Sequence, residues 1–267
     1  MGVANEVLAV AVSIAVEAAE LASSSRPDAI QDVGTKSSKT DVVTAADLAV
    51  ERLVRERLAV LRPGEPVFGE ETGGAAAAPG ELCWVVDPID GTVNYLYGFP
   101  WYAVSLAAQV DGVSVAGVVV EPASGRRWTA VRGEGAWLDG RPLRVSEASR
   151  LELSLIGTGF AYRAERRARQ AAGLAGLLPR VRDIRRAGAA SLDLCAVAAG
   201  WLDGYFEHGL SRWDWAAGAL VAEEAGALVR LPGATGDELG EDLTIAAAPG
   251  IADELRAAVI DVGLAQA

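Results

Sequence analysis

The chain has 267 residues, 51% of them hydrophobic, which is enough to bury a large core in one or two closely joined domains and excludes an intrinsically disordered protein. Its formal net charge of -12 argues against broad binding to nucleic acid or to an anionic membrane, because no basic stripe is present. An anionic substrate would therefore need a local cation site. The two cysteines, Cys83 and Cys195, both stand in apolar segments, which favours buried reduced thiols in a cytoplasmic enzyme over a disulfide or zinc framework.

The first half of the chain predicts two helices followed by a series of strands. Residues 7–16 are almost wholly apolar, but acidic residues bracket them and no basic segment precedes them. This pattern favours an amphipathic helix over residues 3–23 rather than a signal peptide or a membrane anchor. Thr44 followed by Asp47 is typical of a capped helix start, and that helix would continue to about residue 61. Strands are predicted near residues 67–68, 82–86, 103–110, 114–121 and 127–132.

The second half alternates strands with helices. The strands are predicted near residues 153–157, 181–184, 204–207, 227–229 and 243–247, and the helices near residues 165–178, 190–199, 214–225 and 251–262. Such alternation predicts an α/β half that follows a more antiparallel α+β half. We predict a boundary near residue 145. Residues 1–145 would carry most of the candidate metal ligands, and residues 146–267 would complete the site within one continuous catalytic unit.

The most informative segment runs from Trp84 to Thr92, where an apolar strand is followed by two carboxylates. The predicted strand places Asp87 at its C-terminal edge, and Asp90 follows three residues later. A proline between the two acids fixes its own φ, and Gly91 permits close backbone approach, so the turn is stiff and leaves amides free to face a ligand. Such a turn suits a phosphate group held by metal ions.

Two other apolar segments also end in carboxylates. Glu70 and Glu71 follow one of them, and Asp214 follows the other. Acids from three separate segments predict an oxygen-rich cage, which is the donor set that Mg²⁺ prefers. His208 is the only histidine, which disfavours a histidine-rich zinc site and a Ser-His-Asp triad. Each acid also has an ordinary interpretation as a solvated loop residue, a turn residue or a helix cap, with Asp214 as the cap.

Taken together, these motifs resemble the inositol monophosphatase family, most closely its bacterial, actinobacterial type. The matches follow the family's order over nearly the whole chain. They are residues 36–41, 44–47, 69–71, 84–94, 188–190, 207 and 213–218. The resemblance implies a layered α-β-α-β-α sandwich of the inositol monophosphatase and fructose-1,6-bisphosphatase type, and a Mg²⁺-dependent phosphate-monoester hydrolase.

The resemblance also implies a set of metal ligands for two to three Mg²⁺ ions. Glu70, Asp87 and the carbonyl of Ile89 would hold a first ion, and Asp87, Asp90 and Asp214 would hold a second. Glu70 would share a third, weaker ion through water. Two ions about 3.5–4 Å apart clamp the attacking and leaving oxygens of an in-line displacement.

Catalytic and substrate-binding roles follow from the same resemblance. Thr92, hydrogen-bonded to Asp47, would orient and deprotonate the attacking water, and Lys36 would lie close enough to neutralise or orient the site. The backbone amides of Gly91 and Thr92 would bind phosphate oxygens. The predicted contacts to polyol hydroxyls come from Asp90, the Ala190 backbone, Glu207 and Asp214. Arg212 has no assigned role: it would meet substrate, a neighbouring subunit or solvent.

Several alternatives remain open at the level of sequence. Glu207 and its neighbours favour myo-inositol 1-phosphate as the substrate, but histidinol phosphate, fructose 1,6-bisphosphate and 3′-phosphoadenosine 5′-phosphate are handled by relatives with the same metal motifs. A haloacid-dehalogenase phosphatase is disfavoured, because Pro88 stands where the nucleophilic aspartate is required. A regulatory or scaffold protein that retains the fold is the alternative from a different class. Lithium inhibition and a homodimer are implied by resemblance, with no nucleic-acid or membrane partner.

Overall fold

The structure is a computed structural model that describes residues 2–29, 33–35, 42–75 and 77–266. Two short strands, β1 (Val33–Thr35) and β2 (Val42–Thr44), pair antiparallel with each other. Lys36, a predicted site residue, lies outside the described residues, so its predicted role remains a prediction.

The larger sheet of the described residues has seven strands, all from the first half of the chain. In spatial order they are β3 (Val67–Gly69), β4 (Leu82–Asp90), β5 (Ala103–Val110), β6 (Val113–Glu121), β7 (Arg126–Val131), β8 (Gly135–Leu138) and β9 (Arg141–Pro142). β3 runs parallel to β4, and every later neighbour is antiparallel. The two short strands β8 and β9 at the far edge were not predicted from the sequence.

The smaller sheet has five strands in the described part of the second half. They are β10 (Leu155–Thr158), β11 (Asp183–Arg185), β12 (Gly204–His208), β13 (Leu228–Arg230) and β14 (Leu243–Ala247), in the order β11-β10-β12-β14-β13. β10 is parallel to both of its neighbours, whereas β14 is antiparallel to β12 and β13. The predicted alternation of strands and helices is present from β10 to β13, and a loop without a helix then joins β13 to β14 and returns the chain antiparallel.

Helices form layers on the outer faces of both sheets and between them. They are α1 (Val3–Ala29), α2 (Ala45–Leu61), α3 (Thr92–Tyr97), α4 (Ala164–Leu177), α5 (Ala190–Ala198), α6 (Arg212–Glu224) and α7 (Ala252–Asp261). α1 and α2 cover the larger sheet, α5 and α6 lie between the sheets, and α4 and α7 cover the smaller one. This confirms the predicted α-β-α-β-α order. The first sheet ends at Pro142 and the second begins at Leu155, and the division near residue 145 stays a prediction.

The first helix is long and apolar enough to cross a membrane by length and composition alone. In the structure, however, one stripe of it is buried against the larger sheet, including Val7, Ala11, Ile14 and Ala18. Small side chains along that stripe let the helix approach the sheet closely. Its place in the core accounts for its hydrophobic composition.

Strand β4 is longer than predicted. The sequence placed its end at Val86, which is wrong: the strand continues to Asp90. Its pairing with β5 shifts along the way, since Asp87 pairs with Ser105 but Asp90 pairs with Ala103. One extra residue on β4 forms a β-bulge, and Pro88, which has no N–H to give to the ladder, lies inside it.

Both cysteines are buried, free thiols. Cys83 lies in β4 and Cys195 in α5, and neither forms a disulfide. Burial raises the pKa of each thiol, so both stay protonated and poorly reactive. The prediction of reduced, structural cysteines is confirmed.

Candidate active site

Three elements bring the predicted acids together. Strand β3 pairs in parallel with β4 and sets Gly69 beside Val86. The next residues along the two segments, Glu70 and Asp87, therefore lie at the same level, where the regular part of β4 ends. The backbone N–H of Glu70 donates to the Val86 carbonyl at 3.2 Å, which fixes that level. Asp214 comes from the first turn of α6, on the face of the sheet that α5 and α6 cover.

The acids are buried and act on one another. Burial raises the pKa of Asp87 well above its usual range, and the negative charges of Glu70, Asp90 and Asp214 raise it further. Burial also raises the pKa of Asp214, with Asp90 and Glu70 adding to the effect. Burial and nearby negative charges both disfavour the ionised form of a carboxyl group. A cation bound among these acids would stabilise that ionised form and would therefore be strongly attracted.

Backbone amides hold two of these carboxylates in place. Asp87 Oδ1 accepts a hydrogen bond from the Ile89 N–H at 3.0 Å. Asp90 Oδ1 accepts from the Ala190 N–H at 3.1 Å, and Asp90 Oδ2 accepts from the Ser191 N–H at 2.7 Å and the Ser191 hydroxyl at 2.5 Å. Burial raises the pKa of Asp90 to about 6, although the bonds from Ser191 and Ala190 act in the opposite direction. Ser191 was not identified from the sequence.

Asp214 belongs to a capping box rather than capping its helix itself. α6 begins at Arg212 with Ser211 as its cap, and Asp214 Oδ2 accepts from the Ser211 N–H at 2.6 Å. The alternative in which Asp214 caps a helix starting at Trp215 is therefore wrong by three residues. The capping bond fixes the carboxylate at the end of α6 that faces the other acids.

The donor chemistry of this cluster fits a hard divalent cation. Its oxygen atoms come from carboxylates and from the neighbouring Ile89 carbonyl, a set that suits Mg²⁺. Within the described ranges, Asp87, Asp90 and Asp214 form no salt bridge that would neutralise them. Over the same residues, no group of three His, Cys, Asp or Glu side chains is arranged to hold a metal ion as it stands. The number and arrangement of ions thus remain predictions.

A second predicted pair, Thr92 and Asp47, is also brought together. Thr92 Oγ1 lies 3.4 Å from Asp47 Oδ1 and 3.1 Å from the Ile89 carbonyl oxygen. Asp47 Oδ2 accepts from the N–H and hydroxyl of Thr44 at 2.7 and 2.6 Å, which is the predicted capping box of α2. Asp47 therefore caps a helix with one oxygen and faces Thr92 with the other.

Gly91 joins β4 to α3 in a conformation that favours glycine. Its φ is +88°, and a Cβ there would lie 3.0 Å from the Trp101 carbonyl oxygen and 3.2 Å from the Ala189 Cβ. A larger residue would be strained and would push α5 away from the bulge. Thr92 begins α3 directly after this turn.

A buried glutamate that sequence analysis missed fixes the turn after Glu70. Glu51 is 1% exposed and accepts from the Glu71 N–H at 2.7 Å and from the Thr72 N–H at 3.1 Å. A Cβ on Gly69 would lie 2.5 Å from its carboxyl carbon, so the side chain requires glycine there. Glu51 stands in the middle of a helix with no motif around it, and only its partners on a distant turn reveal its role.

A cavity of about 250 Å³ opens beside the acids. Of the predicted substrate-binding residues, it is lined by Asp90, Gly91, Ala190, Glu207 and Asp214, whereas Thr92 does not line it. The sequence did not indicate the other polar or aromatic side chains of its wall. These are Phe160, Tyr162, Arg163, Arg166, Arg186 and His208.

Glu207 is oriented toward this cavity by its neighbours. The Tyr205 hydroxyl donates to Glu207 Oε2 at 2.6 Å, and the carboxylate occupies space that a Cβ on Gly159 would fill. Burial raises the pKa of Glu207 to about 7, while the bond from Tyr205 and the charge of Arg186 lower it. Near neutral pH, Glu207 thus exchanges between an acceptor and a donor.

Two residues discussed at the sequence level receive structural roles. Burial lowers the pKa of His208 to about 4, so its imidazole is neutral at physiological pH. Arg212 Nε donates to Gln109 Oε1 at 2.5 Å, and its guanidinium lies over the Phe68 ring, 5.6 Å from the centroid. Arg212 therefore anchors α6 to the larger sheet and does not line the cavity.

Comparison with known proteins agrees with this arrangement. The family model described as "Inositol monophosphatase family" matches residues 4–262. A protein of Mycobacterium leprae (strain TN) named "Inositol-1-monophosphatase" is 56% identical over 235 residues, which cover 85% of this chain and 81% of that protein. A protein of Pasteurella multocida (strain Pm70) named "Nus factor SuhB" is 40% identical over 222 residues, 83% of each chain.

A solved structure also matches the whole architecture. The structure titled "Mycobacterium tuberculosis SuhB" superposes with a TM-score of 0.83 and 44% sequence identity, covering 97% of both chains. At that identity and coverage the layered fold and the order of its elements are shared from end to end.

Proposed function

The chain belongs to the inositol monophosphatase family and is a phosphatase, and from that premise we propose that it hydrolyses phosphate monoesters of polyols, with myo-inositol 1-phosphate as its substrate. The observation that carries the proposal is the cluster of Glu70, Asp87, Asp90 and Asp214, whose charges act on one another beside a small cavity. A phosphate monoester is itself an anion and would be repelled by these acids. It would therefore bind at the acid cluster only together with cations.

We propose Mg²⁺ as those cations. Glu70, Asp87 and the Ile89 carbonyl would hold one ion, Asp87, Asp90 and Asp214 would hold another, and Glu70 would share a third through water. When bound, such ions polarise the phosphate oxygens, lower the pKa of a water and stabilise charge on the leaving oxygen. The pKa of Asp87 and of Asp214, raised by burial among like charges, supports a cation at this place.

The chain's own residues would orient the reacting groups. Thr92 Oγ1 has one proton, which it donates either to Asp47 Oδ1 or to the Ile89 carbonyl, so its lone pairs remain available to accept a hydrogen bond from a water. If Thr92 takes a proton from that water, its own proton would pass to Asp47 Oδ1. Asp47, held by Thr44, keeps that hydroxyl in place. The amides of Gly91 and Thr92 would bind phosphate oxygens, and Lys36 would add positive charge.

The lining of the cavity supports a polyol as the leaving alcohol. Asp90, Glu207 and Asp214 present carboxylate oxygens to it, and the Ala190 backbone borders it. Carboxylates that accept from several hydroxyls suit a polyol better than they suit an apolar alcohol.

A phosphate-release assay with and without Mg²⁺ tests the proposal. The substrates to compare are myo-inositol 1-phosphate, histidinol phosphate, fructose 1,6-bisphosphate and 3′-phosphoadenosine 5′-phosphate. We expect Mg²⁺-dependent release with the highest kcat/KM for myo-inositol 1-phosphate. A much higher kcat/KM for histidinol phosphate would overturn the substrate assignment, and no release from any of the four would overturn the activity.

A regulatory function is the second candidate, because relatives such as the Pasteurella multocida protein are named "Nus factor SuhB". The retained acid cluster favours catalysis, since a scaffold has no need of several buried like charges. Turnover lost in an Asp87→Asn variant would support the enzymatic function. Lithium inhibition, a homodimer and a cytoplasmic location remain further parts of the proposal.

A further inference from the structure

A series of hydrogen bonds, here called the Gln109 network, joins the larger sheet to the first turns of α6. Gln109 in β5 is 0% exposed. Its Oε1 accepts from Arg212 Nε at 2.5 Å, and its Nε2 donates to Ser114 Oγ at 2.9 Å. Ser114 Oγ in turn donates to the Ala216 carbonyl oxygen at 2.7 Å. The sheet therefore holds α6 at Arg212 and at Ala216, and Asp214 lies between these two residues.

A bulge in the hairpin of β5 and β6 places the two polar side chains of the sheet opposite each other. Ala108 pairs with Ala116, but the next residue, Gln109, pairs with Ser114, so β6 has one extra residue at this point. The hydroxyl of Ser114 and the amide of Gln109 thus lie together on the face that α6 covers. Sequence analysis assigned no role to either residue.

Arg212 also contacts the segment that leads to another acid of the cluster. Its guanidinium lies over the ring of Phe68, 5.6 Å from the centroid, and that ring lies 5.4 Å from the ring of Trp213. Phe68 belongs to β3 and stands two residues before Glu70. One arginine therefore contacts both β3, which leads to Glu70, and Gln109, which helps to hold the helix that carries Asp214.

The polar nature of this network fixes where α6 lies along the sheet. Apolar surfaces can slide over one another at little cost, whereas hydrogen bonds are directional. A shift of α6 would separate Arg212 from Gln109 and leave a buried amide without its partner, which is unfavourable in a poorly solvated place. The network thus specifies one position of the helix, and with it one position of Asp214.

We propose that Gln109 and Arg212 are positioning residues that set the distance between Glu70 and Asp214 for cation binding. This rests on the proposed function, in which these two acids hold different Mg²⁺ ions. Neither Gln109 nor Arg212 lines the cavity, so both act through the acids and not on the substrate. Mg²⁺ requires a nearly ideal octahedral arrangement of its ligands, so a small displacement of one carboxylate weakens binding.

Two simpler roles make different predictions. If the network only stabilises the packing of α6, its loss would lower the melting temperature and leave the affinity of the folded protein for Mg²⁺ unchanged. If Arg212 acts only through its charge, Gln109→Leu would have no effect on that affinity, because this variant keeps every charge of the chain and nearly the same side-chain volume.

The experiment titrates the full chain with Mg²⁺ alone, without substrate, and measures the dissociation constant by calorimetry. Gln109→Leu and Arg212→Met should each raise this constant by about tenfold, as expected when a group that orients a metal ligand is lost. The Mg²⁺ concentration that gives half-maximal phosphate release should rise by a similar factor, and excess Mg²⁺ should restore turnover. Thermal melting of each variant checks that it is folded.

The double variant tests whether the two residues act as one unit. Because either single change already breaks the bond between Gln109 and Arg212, the double variant should bind Mg²⁺ about as weakly as each single variant. A loss of about 100-fold, the product of two independent effects, would overturn the shared network. If Gln109→Leu does not fold, Ser114→Ala replaces it, since it removes only one hydroxyl group of the network and should also raise the dissociation constant.

Glu224→Gln is the matched control at the opposite end of the same helix. Glu224 is the last residue of α6, and its carboxylate accepts from the N–H groups of Gly133 and Gly135 at 2.8 and 2.9 Å. This variant also weakens a contact between α6 and the larger sheet, but far from Asp214, so the Mg²⁺ dissociation constant should stay unchanged.

The outcomes separate this inference from the proposed function. If the parent chain binds Mg²⁺ and releases phosphate, and the folded Gln109→Leu and Arg212→Met variants bind Mg²⁺ as tightly as it does, the positioning role alone is overturned. An equal loss of affinity in Glu224→Gln would overturn it as well. A parent chain that neither binds Mg²⁺ nor releases phosphate overturns the proposed function, and the positioning role with it.

Discussion

The two sheets each bury charged groups, but in opposite ways. In the smaller sheet, Arg230 is 7% exposed and its guanidinium is surrounded by acceptors. It donates to Asp237 at 2.7 and 2.9 Å, to the Leu243 carbonyl at 2.7 Å and to the Ala234 carbonyl at 3.0 Å, with the Gly240 carbonyl as a further acceptor. These bonds tie the loop between β13 and β14 to the sheet.

In the acid cluster beside the larger sheet, the buried charges of the described residues are all negative. Burial and mutual repulsion raise the pKa of Asp87 and Asp214, whereas hydrogen bonds from Arg230 lower the pKa of Asp237. A buried charge with complete partners stabilises one conformation of the chain. Buried like charges lower the free energy of unfolding even when backbone amides hold them in place. Such destabilising groups are typical of functional sites.

The largest effect expected from this contrast is the loss of turnover in Asp87→Asn. Removing one acid from the centre of the cluster should lower kcat/KM by a factor on the order of 10³, because a ligand shared by two ions is lost. Without metal, the same variant should unfold no more easily than the parent, since it removes a buried repelled charge. Phosphate release at saturating Mg²⁺ and urea unfolding in a chelator measure the two quantities; near-normal turnover would exclude the role of Asp87.

The opposite outcome is expected for Arg230→Met. Its loss leaves Asp237 and several carbonyl groups without a donor, so the free energy of unfolding should fall by about 3–5 kcal/mol. Urea unfolding measures the change. Arg180→Gln, which breaks the exposed pair of Arg180 with Asp261, should cost less than about 1 kcal/mol. Equal losses in the two variants would contradict the stabilising role of the buried Arg230 and its acceptors.

Thr92→Ala sharpens the contrast within the site itself. The hydroxyl acts on the water in the chemical step, so kcat should fall by about 100-fold while KM changes little. Thr92→Ser retains the hydroxyl and should recover most of the turnover. A change confined to KM would show that the Thr92 side chain contributes to binding instead.

A smaller effect is expected for Glu51→Gln, which weakens the support of Glu70 from outside the cluster. The amide group cannot accept from both the Glu71 and the Thr72 N–H groups as the carboxylate does, so kcat/KM should fall by about tenfold. Glu56→Gln changes an exposed residue of the same helix and serves as the control. If both variants kept full turnover, the turn after Glu70 would not depend on Glu51.

The smallest effect concerns His208, a neutral buried group at the edge of the same cavity. The pKa of His208 is lowered to about 4, below its ordinary value of about 6.5 in an unfolded chain. Its contribution to stability is therefore complete above about pH 6.5 and is lost as the pH falls toward 4. Because His208 is the only histidine, one imidazole NMR signal reports its titration directly. A midpoint near 6.5 in the folded protein would contradict its burial.

Sequence patterns located the acids but not what holds them. Asp87, Asp90 and Asp214 were found because each follows an apolar run. The alternation of helices and strands indicated an α/β half after an α+β half, whereas the order of layers was implied by the family resemblance. Glu51 was missed because its partners are backbone amides of a distant turn, and Ser191 was missed because its own backbone N–H and hydroxyl donate to Asp90, which lies far away in the chain. Backbone partners leave no residue pattern that periodicity or spacing can detect.

The arginines that line the cavity, Arg163, Arg166 and Arg186, were missed for a related reason. Arg166 and Arg186 stand in polar segments where charged residues are ordinary, and only the fold brings them to one cavity. Arg212 shows the reverse case, since it stands next to the acid motif yet points to Gln109. Nearness in sequence to a motif is thus a weak guide to which charges share a site.

The bulge in β4 decides which way its two acids face. In a regular strand, residues three apart point to opposite faces of the sheet, so Asp87 and Asp90 would be separated by the sheet itself. Val85 packs toward α5 and α6, while Val86 and Ile89 both pack toward α1 and α2, which shows that the alternation is reset between the acids. The extra residue restores an even spacing. The number of residues between Asp87 and Asp90 therefore matters to the site as much as the two carboxylates do. Deleting or inserting one residue between them would direct one carboxylate to the opposite face of the sheet, into the other core.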